Sequence, residues 1–396
     1  MSPSCRSRPT PRSPISWRCS TRRAFRPSSS SPPRLRPDRR GARRPPLVSD
    51  VWQIGLGDLD KLAGLGRSVA DSTLDDLAAQ VTADTAAAIL KSTASDGATE
   101  LVTVSHRALT ARALAIAAVL DEETGAGAST LQILPATDVH ARVSTLVAVA
   151  TGTRLGHLSD PARLIETMAS FRPTLLVASP AALALIDEAA HDRAESTGRA
   201  SALRQGLEVA VDHSIAVGSG TVPRGLKTRF ALADALVYRG LRKAVGGQLR
   251  TVVSIADETS LAPRLRHIMR SLDVRALEGY GTLLTTGLAT LERPSDPFDR
   301  PVGGVGAPLD GVSVAVGSDG SIALRGVGVK AAGDDGWLAT GQFGTLDDGR
   351  LVLADRDLVL TPVVDSEVTL SQPPLPESAP SIDPVDVDPH ERLDRR

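Results

Sequence analysis

Ser92, Thr93, Ser95 and Gly97 stand in a run of small and hydroxyl-bearing residues, Ser92 to Thr99, between two apolar runs at Ala86–Leu90 and Leu101–Val104. Such a loop can fold its backbone N–H groups and hydroxyls around an anion such as a triphosphate, because small side chains let the backbone come close. The plainer reading is a hairpin turn, since Ser, Thr, Asp and Gly dominate turns. Asp96 and Glu100 carry the wrong sign for a polyphosphate, and the glycine-and-lysine pattern of a phosphate cradle is largely missing. Order along the rest of the chain has to decide between the two.

Other chemistries find less support. His140, His157, His191, His213 and His267 are scattered without metal-ligand spacing, and His106, at the start of a helix, reads as structural. Asp138, His140 and Ser144 lie along one local segment with no nucleophile elbow, which argues against a hydrolase triad. Gly303-Gly304-Val305-Gly306 has no strand-to-helix unit around it and reads as a turn rather than a dinucleotide fingerprint. Both cysteines, Cys5 and Cys19, fall in the basic N-terminal segment, so neither a disulfide framework nor a cysteine metal site supports the body.

The elements that must position the loop follow from hydrophobic spacing. Helical spacing is predicted at Asp58–Leu65 and Thr73–Val81, the latter capped by Asp71 or Ser72, and again at Arg107–Glu122, His140–Ala150, Pro161–Ser170 and Pro180–Ala194. Strands are predicted at Leu131–Leu134, Thr153–Leu155 and Thr174–Ala178. Ser201–Lys227 reads as a polar connection with a loop over Gly218–Gly225. Beyond it come a helix at Phe230–Val245, a strand at Leu249–Ser254, a helix at Leu261–Leu272 and a strand at Arg275–Leu277. This alternation predicts an α/β fold with layered, mainly parallel sheets and packed helices. From Val302 the pattern changes to short alternating runs (Val312–Val316, Ser321–Arg325, Arg350–Leu353) that predict a small β-rich subdomain.

Composition sets the boundaries. The first 46 residues hold 13 Arg and one Asp, leaving 32 basic against 45 acidic residues and a net charge of −13 for the remainder. An acidic body offers no basic face to neutralise phosphates, so nucleic-acid binding is not expected. Residues 1–46, rich in Arg, Pro and Ser, and the acidic, Pro-rich 361–396 are expected to be disordered. The first of these also has the irregular look of a GC-rich gene read in the wrong frame. The expected domains are thus 47–300, an α/β nucleotide-binding core, and 301–360, the β-rich subdomain. Aromatics make up 3% of the chain, so the core must be built from Ala, Val and Leu. No apolar run reaches membrane-spanning length and no signal-peptide stretch is present; a cytoplasmic protein is expected.

Several landmarks stand in one fixed order: the loop ending at His106, Leu134-Pro135, Pro173–Val177 with Pro180, Asp234–Tyr238 through Gly246-Gly247, Glu278-Gly279-Tyr280-Gly281, Val305-Gly306 with Pro308-Leu309, and Asp335-Gly336-Trp337 followed by Thr340-Gly341. In that order, over about Val51 to Leu360, they resemble the adenylate-forming (AMP-binding) enzymes, in particular the bacterial long-chain fatty acid–CoA ligases. The resemblance implies a truncated core of that ligase fold, with ATP and CoA as co-substrates and Mg²⁺ as metal. It also implies small-molecule partners (ATP or AMP, a fatty acid, CoA) and two steps, acyl-adenylate formation and then thioester formation.

Carried over residue by residue, the resemblance implies nucleotide contacts from Ser92, Thr93, Ser95, Gly97, Glu278, Gly279, Tyr280, Gly281, Thr282, Gln342 and Arg356. Tyr280 would stack on the adenine. Gln342 stands where the family's ribose-binding aspartate would be, and Arg356 resembles the hinge-side arginine. Departures are sharp. Glu100 stands in place of the loop's lysine, and Thr282, Leu283 and Leu284 follow Tyr280-Gly281 where the family has a hydrophobic residue, a Thr and a magnesium-holding Glu; leucine cannot ligate Mg²⁺. The turn before the adenine segment, Ser254–Asp257, is bulkier than the family's glycine-rich one. No lysine follows Lys330, so the carboxy-terminal lid with its catalytic lysine is expected to be missing and the core to be cut at both ends. The expectation is a ligase-like protein, impaired or inactive. The alternatives are a non-catalytic remnant that binds AMP-like or acyl ligands or a partner protein, or a fragment from gene decay.

Overall fold

Leu175-Leu176-Val177-Ala178 is apolar at every position, as a strand covered on both faces must be. In the computed structural model it is an interior strand of a seven-stranded sheet. The structure describes residues 57–93, 99–158, 160, 163–256, 260–296, 298, 303–331 and 335–354. The expected segments 1–46 and 361–396 lie outside these residues.

Two units are distinguished along the chain, Met1–Ala78 and Ala79–Arg396. In the first, α1 (Asp58–Gly66) begins a pair of short helices completed by α2 (Asp71–Ala79), at the positions that apolar spacing predicts. Neither helix buries a residue: Leu59, Leu62, Leu65, Leu74 and Leu77 all remain exposed.

The second unit opens with an antiparallel hairpin, β1 (Ala86–Thr93) and β2 (Thr99–Ser105). Ser105 then caps α3 (His106–Val119), its hydroxyl accepting from the Ala108 amide at 3.2 Å. There follow β3 (Ser129–Gln132), α4 (Val139–Thr151), β4 (Arg154–His157), α5 (Leu164–Phe171), β5 (Leu175–Ala178) and α6 (Pro180–Ser196). Asp138 caps α4 through the His140 amide, and Gly152, with φ 73°, ends it in the left-handed turn that glycine allows.

Ala200–Gly218 is a helix, α7, which corrects the expected polar connection. Its buried Leu203, Leu207 and Ala210 recur at helical spacing, but Arg204, Glu208 and Asp212 interleave with them and mask the period. The helix expected at Phe230–Val245 is three pieces: α8 (Arg224–Ala233), a π-helical turn at Asp234–Tyr238, and α9 (Arg239–Ala244). Then come β6 (Thr251–Ala256), α10 (Pro263–Ser271) and β7 (Arg275–Thr282).

Sheet order is β4-β3-β5-β6-β7-β8-β9, where β8 (Gly287–Leu291) and β9 (Ala307–Pro308) are antiparallel additions to a parallel set. The α/β class is thereby borne out. Residues on the two faces alternate. Leu175, Val177, Val253 and Ile255 meet α3 and α4 on one side, while Leu176, Ala178, Val252 and Ala276 meet α5, α6 and α10 on the other. The β-rich part is a second sheet, β10 (Val312–Val316), β11 (Ser321–Gly326), β12 (Leu338–Asp347) and β13 (Arg350–Leu353), all antiparallel. Gly304 bridges Val352, so the chain passes directly from one sheet to the other.

Tyr238, at the end of the π-helical turn, is fully buried, and its hydroxyl donates to the Gly206 carbonyl at 2.6 Å. Burial, and behind it the nearby Asp234 carboxylate, pushes this phenol up to about 12. With the folded value above the unfolded one of roughly 10, the stability due to neutral Tyr238 is complete below about pH 10 and is lost as pH rises toward 12. Tyr238→Phe should therefore cost about 1 kcal/mol near neutral pH, where the hydrogen bond is lost. The gap between wild type and variant should close or reverse above about pH 11. Urea denaturation of both proteins on either side of pH 10 checks this, and a constant gap would contradict it.

Candidate nucleotide site

The hairpin arms bring Ser92 opposite Glu100 and Thr93 opposite Thr99. Ser95, Gly97 and Arg356 lie outside the described residues. Ser92 and Thr93 are placed on the last turn-ward positions of β1. Glu100 forms an ion pair with Lys330 at 3.1 Å, both side chains about half exposed. The Lys330 amide in turn donates to the Leu284 carbonyl at 2.8 Å. The base of the predicted phosphate loop is thus tied to the segment that follows the predicted adenine segment.

That segment is a tight 3₁₀ turn, Leu283–Thr285, leaving β7. Thr282 caps it, accepting from the Leu284 amide, and the Thr285 hydroxyl accepts from the Thr282 amide at 2.8 Å. Thr286, at φ 56°, donates to the Gly328 carbonyl at 2.6 Å. Thr285 and Thr286 are buried, whereas Thr282 is half-buried and is the hydroxyl of the three nearest to solvent. Leu283 and Leu284 pack on the core beneath α3. Among the described residues of the corner the threonine hydroxyls are engaged with backbone and the Glu100 carboxylate is paired with Lys330, which leaves no unpaired carboxylate there; this donor set does not fit Mg²⁺, which is usually held through carboxylate oxygens.

Arg112 on α3 ties the corner from below, and sequence reading missed it. Its guanidinium is buried and donates to the carbonyls of Thr285 (3.1 Å) and Val327 (3.2 Å), joining the turn to the strap that carries Lys330. Desolvation lowers it to about 10. Its signal in the sequence is a lone Arg inside the apolar run 109–120.

Glu278 and Tyr280 point inward. The Glu278 carboxylate pairs with Arg266 and accepts from the Leu261 amide at 2.6 Å. Glu292, also buried, pairs with the same Arg266 at 3.3 Å and accepts from the Glu278 amide at 2.7 Å. Tyr280 is 1% exposed and packed with Ala256, Ala289 and Ile322; burial raises its phenol. Gly279 and Gly281 are required by β8 itself: a Cβ at Gly279 would lie 2.7 Å from the Thr290 carbonyl oxygen, and one at Gly281 would overlap that of Gly287. Close backbone approach is real here, and the backbone that approaches is the neighbouring strand. Gln342 is half-buried on β12, its backbone N–H donating to the Thr340 hydroxyl at 3.2 Å. The Thr340 hydroxyl donates to the Ile322 carbonyl at 2.9 Å, and Ile322 packs with Tyr280, so the predicted adenine-side and ribose-side residues meet through Ile322 and Thr340.

A family model described as AMP-binding enzyme matches residues 34–330, three quarters of the chain. The chain belongs to the AMP-binding enzyme family. Within that family it is similar to the long-chain-fatty-acid–CoA ligases FadD15 of Mycobacterium bovis and Mycobacterium tuberculosis, each 29% identical over 327 residues, which is 78% of this chain and 54% of theirs. It spans about half the length of these curated relatives. Among solved structures it shares the fold of the inhibitor-bound N-terminal domain of FACL13 from Mycobacterium tuberculosis, with a TM-score of 0.52 at 19% identity, over 75% of this chain and 66% of that one. Among the described residues no three His, Cys, Asp or Glu side chains converge as metal ligands, and no helix is long and apolar enough to cross a membrane.

Arg266 holds two buried carboxylates, so this AMP-binding family member should depend on it for stability. Arg266→Met should cost on the order of 3–5 kcal/mol, the usual penalty of leaving buried charge unpaired. Urea denaturation of the variant checks the size of the loss.

Proposed function

We propose that this chain handles an acyl-adenylate in the manner of a fatty acid–CoA ligase, with weakened turnover. In that reaction a carboxylate oxygen attacks the α-phosphorus of ATP and pyrophosphate leaves. The CoA thiolate then attacks the acyl carbonyl, and AMP leaves as the thioester forms. ATP, a fatty acid and CoA are the proposed small-molecule partners.

One observation carries the reading. Glu100 on β2, Lys330, and the turn after Thr282 are joined by an ion pair and a backbone hydrogen bond, which supports a phosphate-loop base lying near the end of β7. The same pair supports the weakening. An anion about 4 Å from a phosphate opposes it by roughly 1–4 kcal/mol where the family has an attracting cation, and Lys330 offsets this only while it stays beside Glu100. Leu284 adds no metal-binding oxygen, so no step is assigned to Mg²⁺ here.

A second reading, binding of AMP-like or acyl ligands without turnover, draws support from Tyr280. Its ring is enclosed by protein and needs a rearrangement before it can stack on a base.

ATP–pyrophosphate exchange with a panel of fatty acids separates the two: exchange above background is expected under the first reading, background under the second. Glu100→Lys combined with Leu284→Glu should raise exchange at least tenfold, roughly 1.4 kcal/mol of transition-state stabilisation. Glu100→Lys alone should gain less, because the new cation faces Lys330. No gain from the double change would remove the assignment of these two positions.

A further inference from the structure

A cation lies under the nucleotide corner with no anion beside it. Arg112 is 1% exposed, and its guanidinium forms no ion pair among the described residues. One terminal nitrogen donates to the carbonyls of Thr285 and Val327, while Nε, also buried, has no hydrogen-bond partner among them. Arginine is almost never fully buried unless paired, because an isolated charge in an apolar interior is costly. Desolvation lowers this guanidinium to about 10, which still leaves it charged at neutral pH.

A charge in that position is either a tie between carbonyls or one half of a pair whose other half arrives from solution. As a tie it is a poor choice. A glutamine amide would offer two N–H donors to the same two carbonyls with no charge to desolvate.

The corner above it can receive the other half. Arg112 grips the turn at Thr285 and the strap at Val327, and these two segments meet where Thr286 donates to the Gly328 carbonyl. The first turn of α3 reaches the same place: a Cβ on Gly328 would lie 3.0 Å from the Thr286 hydroxyl oxygen and 3.2 Å from the Ala108 Cβ. The positive end of a 14-residue helix thus adds to the field of the guanidinium. Nearby ionic groups cancel in pairs, Glu100 with Lys330 and Arg107 with Asp84. On the solvent side the Thr282 hydroxyl accepts from the Leu284 amide, and its own proton is committed to no acceptor among the described residues. One cation and one donor are left over.

We propose that Arg112 is the counter-charge for a single phosphate group at this corner, so that the site selects a nucleoside bearing one phosphate, as in AMP or an acyl-adenylate, over a triphosphate, and does so without a divalent metal. This rests on the nucleotide reading above and narrows it to one ligand class. The phosphodiester of an adenylate carries one negative charge, which one guanidinium balances. A triphosphate brings several, and with no unpaired carboxylate to hold a metal the excess charge meets Glu100. Arg112 acts across the Thr285 and Val327 peptides without touching the ligand, as a charge in low-dielectric surroundings can, and is a positioning residue.

Calorimetric titration of the full chain with AMP, adenosine and ATP tests it. AMP should bind at least about tenfold more tightly than adenosine, a difference of roughly 1.4 kcal/mol, equally in EDTA and in Mg²⁺. It should also bind more tightly than ATP under both conditions. Arg112→Gln keeps donors for the carbonyls and removes the charge, so it should bring AMP down to the affinity of adenosine while adenosine itself is unmoved. Loss of a merely structural tie would weaken both ligands together. Arg112→Lys should keep most of the preference for AMP. Should Arg112→Gln fold poorly, the wild-type comparisons of AMP with adenosine and with ATP decide alone. AMP binding that requires Mg²⁺, ATP binding tighter than AMP, or a preference for AMP that survives Arg112→Gln overturns the proposal. In each of those cases the nucleotide reading stands; if none of the three ligands binds, both fall.

Discussion

One guanidinium between two carboxylates fixes the centre of this molecule. Arg266 reaches from α10 to Glu278 at the middle of β7 and to Glu292 just past β8, and each acid also accepts a backbone amide. Burying such charges is costly unless every lone pair finds a donor, so the arrangement tolerates little displacement. It therefore sets where β7 stops and where the chain turns back as β8, and the turn between them is where the nucleotide corner is assembled.

From that anchor the corner is held by progressively weaker ties. Arg112, buried without a carboxylate, clasps two carbonyls from below. The three threonines after Gly281 are engaged largely with nearby backbone, which holds a turn that ends β7. Only the outermost link, between Glu100 and Lys330, is exposed, and exposed pairs contribute roughly 0–1 kcal/mol. The rigid parts of the corner are thus its apolar and backbone-bonded parts, and the parts that would meet a phosphate are the least constrained.

Much of this was legible in the sequence, and the exceptions have physical causes. The parallel strands announced themselves because both faces of β5 and β6 are buried, which leaves continuous apolar runs. Helix α7 was hidden because its apolar stripe is narrow and charged residues fill the gaps. The strand β8, Gly287–Leu291, went unread because it begins at a glycine and follows a threonine-rich turn. For the site, the order of motifs was enough to bring Glu100, Thr282, Tyr280 and Gln342 to neighbouring elements. It did not foretell which way the side chains point. Glu278 and Tyr280 face the interior because their neighbours, Arg266 for the one and Ile322 for the other, come from other elements of the fold, and tertiary pairing of that kind leaves no local trace.

The mutual neutralisation of Glu100 and Lys330 has a kinetic side. At the surface of the corner the Glu100–Lys330 pair contributes no net charge, so a polyanion approaching this acidic body gains no attraction from that pair and its capture depends on unguided diffusion. Added salt, by screening the body's negative charge, would speed such an encounter rather than slow it, the reverse of the behaviour of a binding cleft lined with cations.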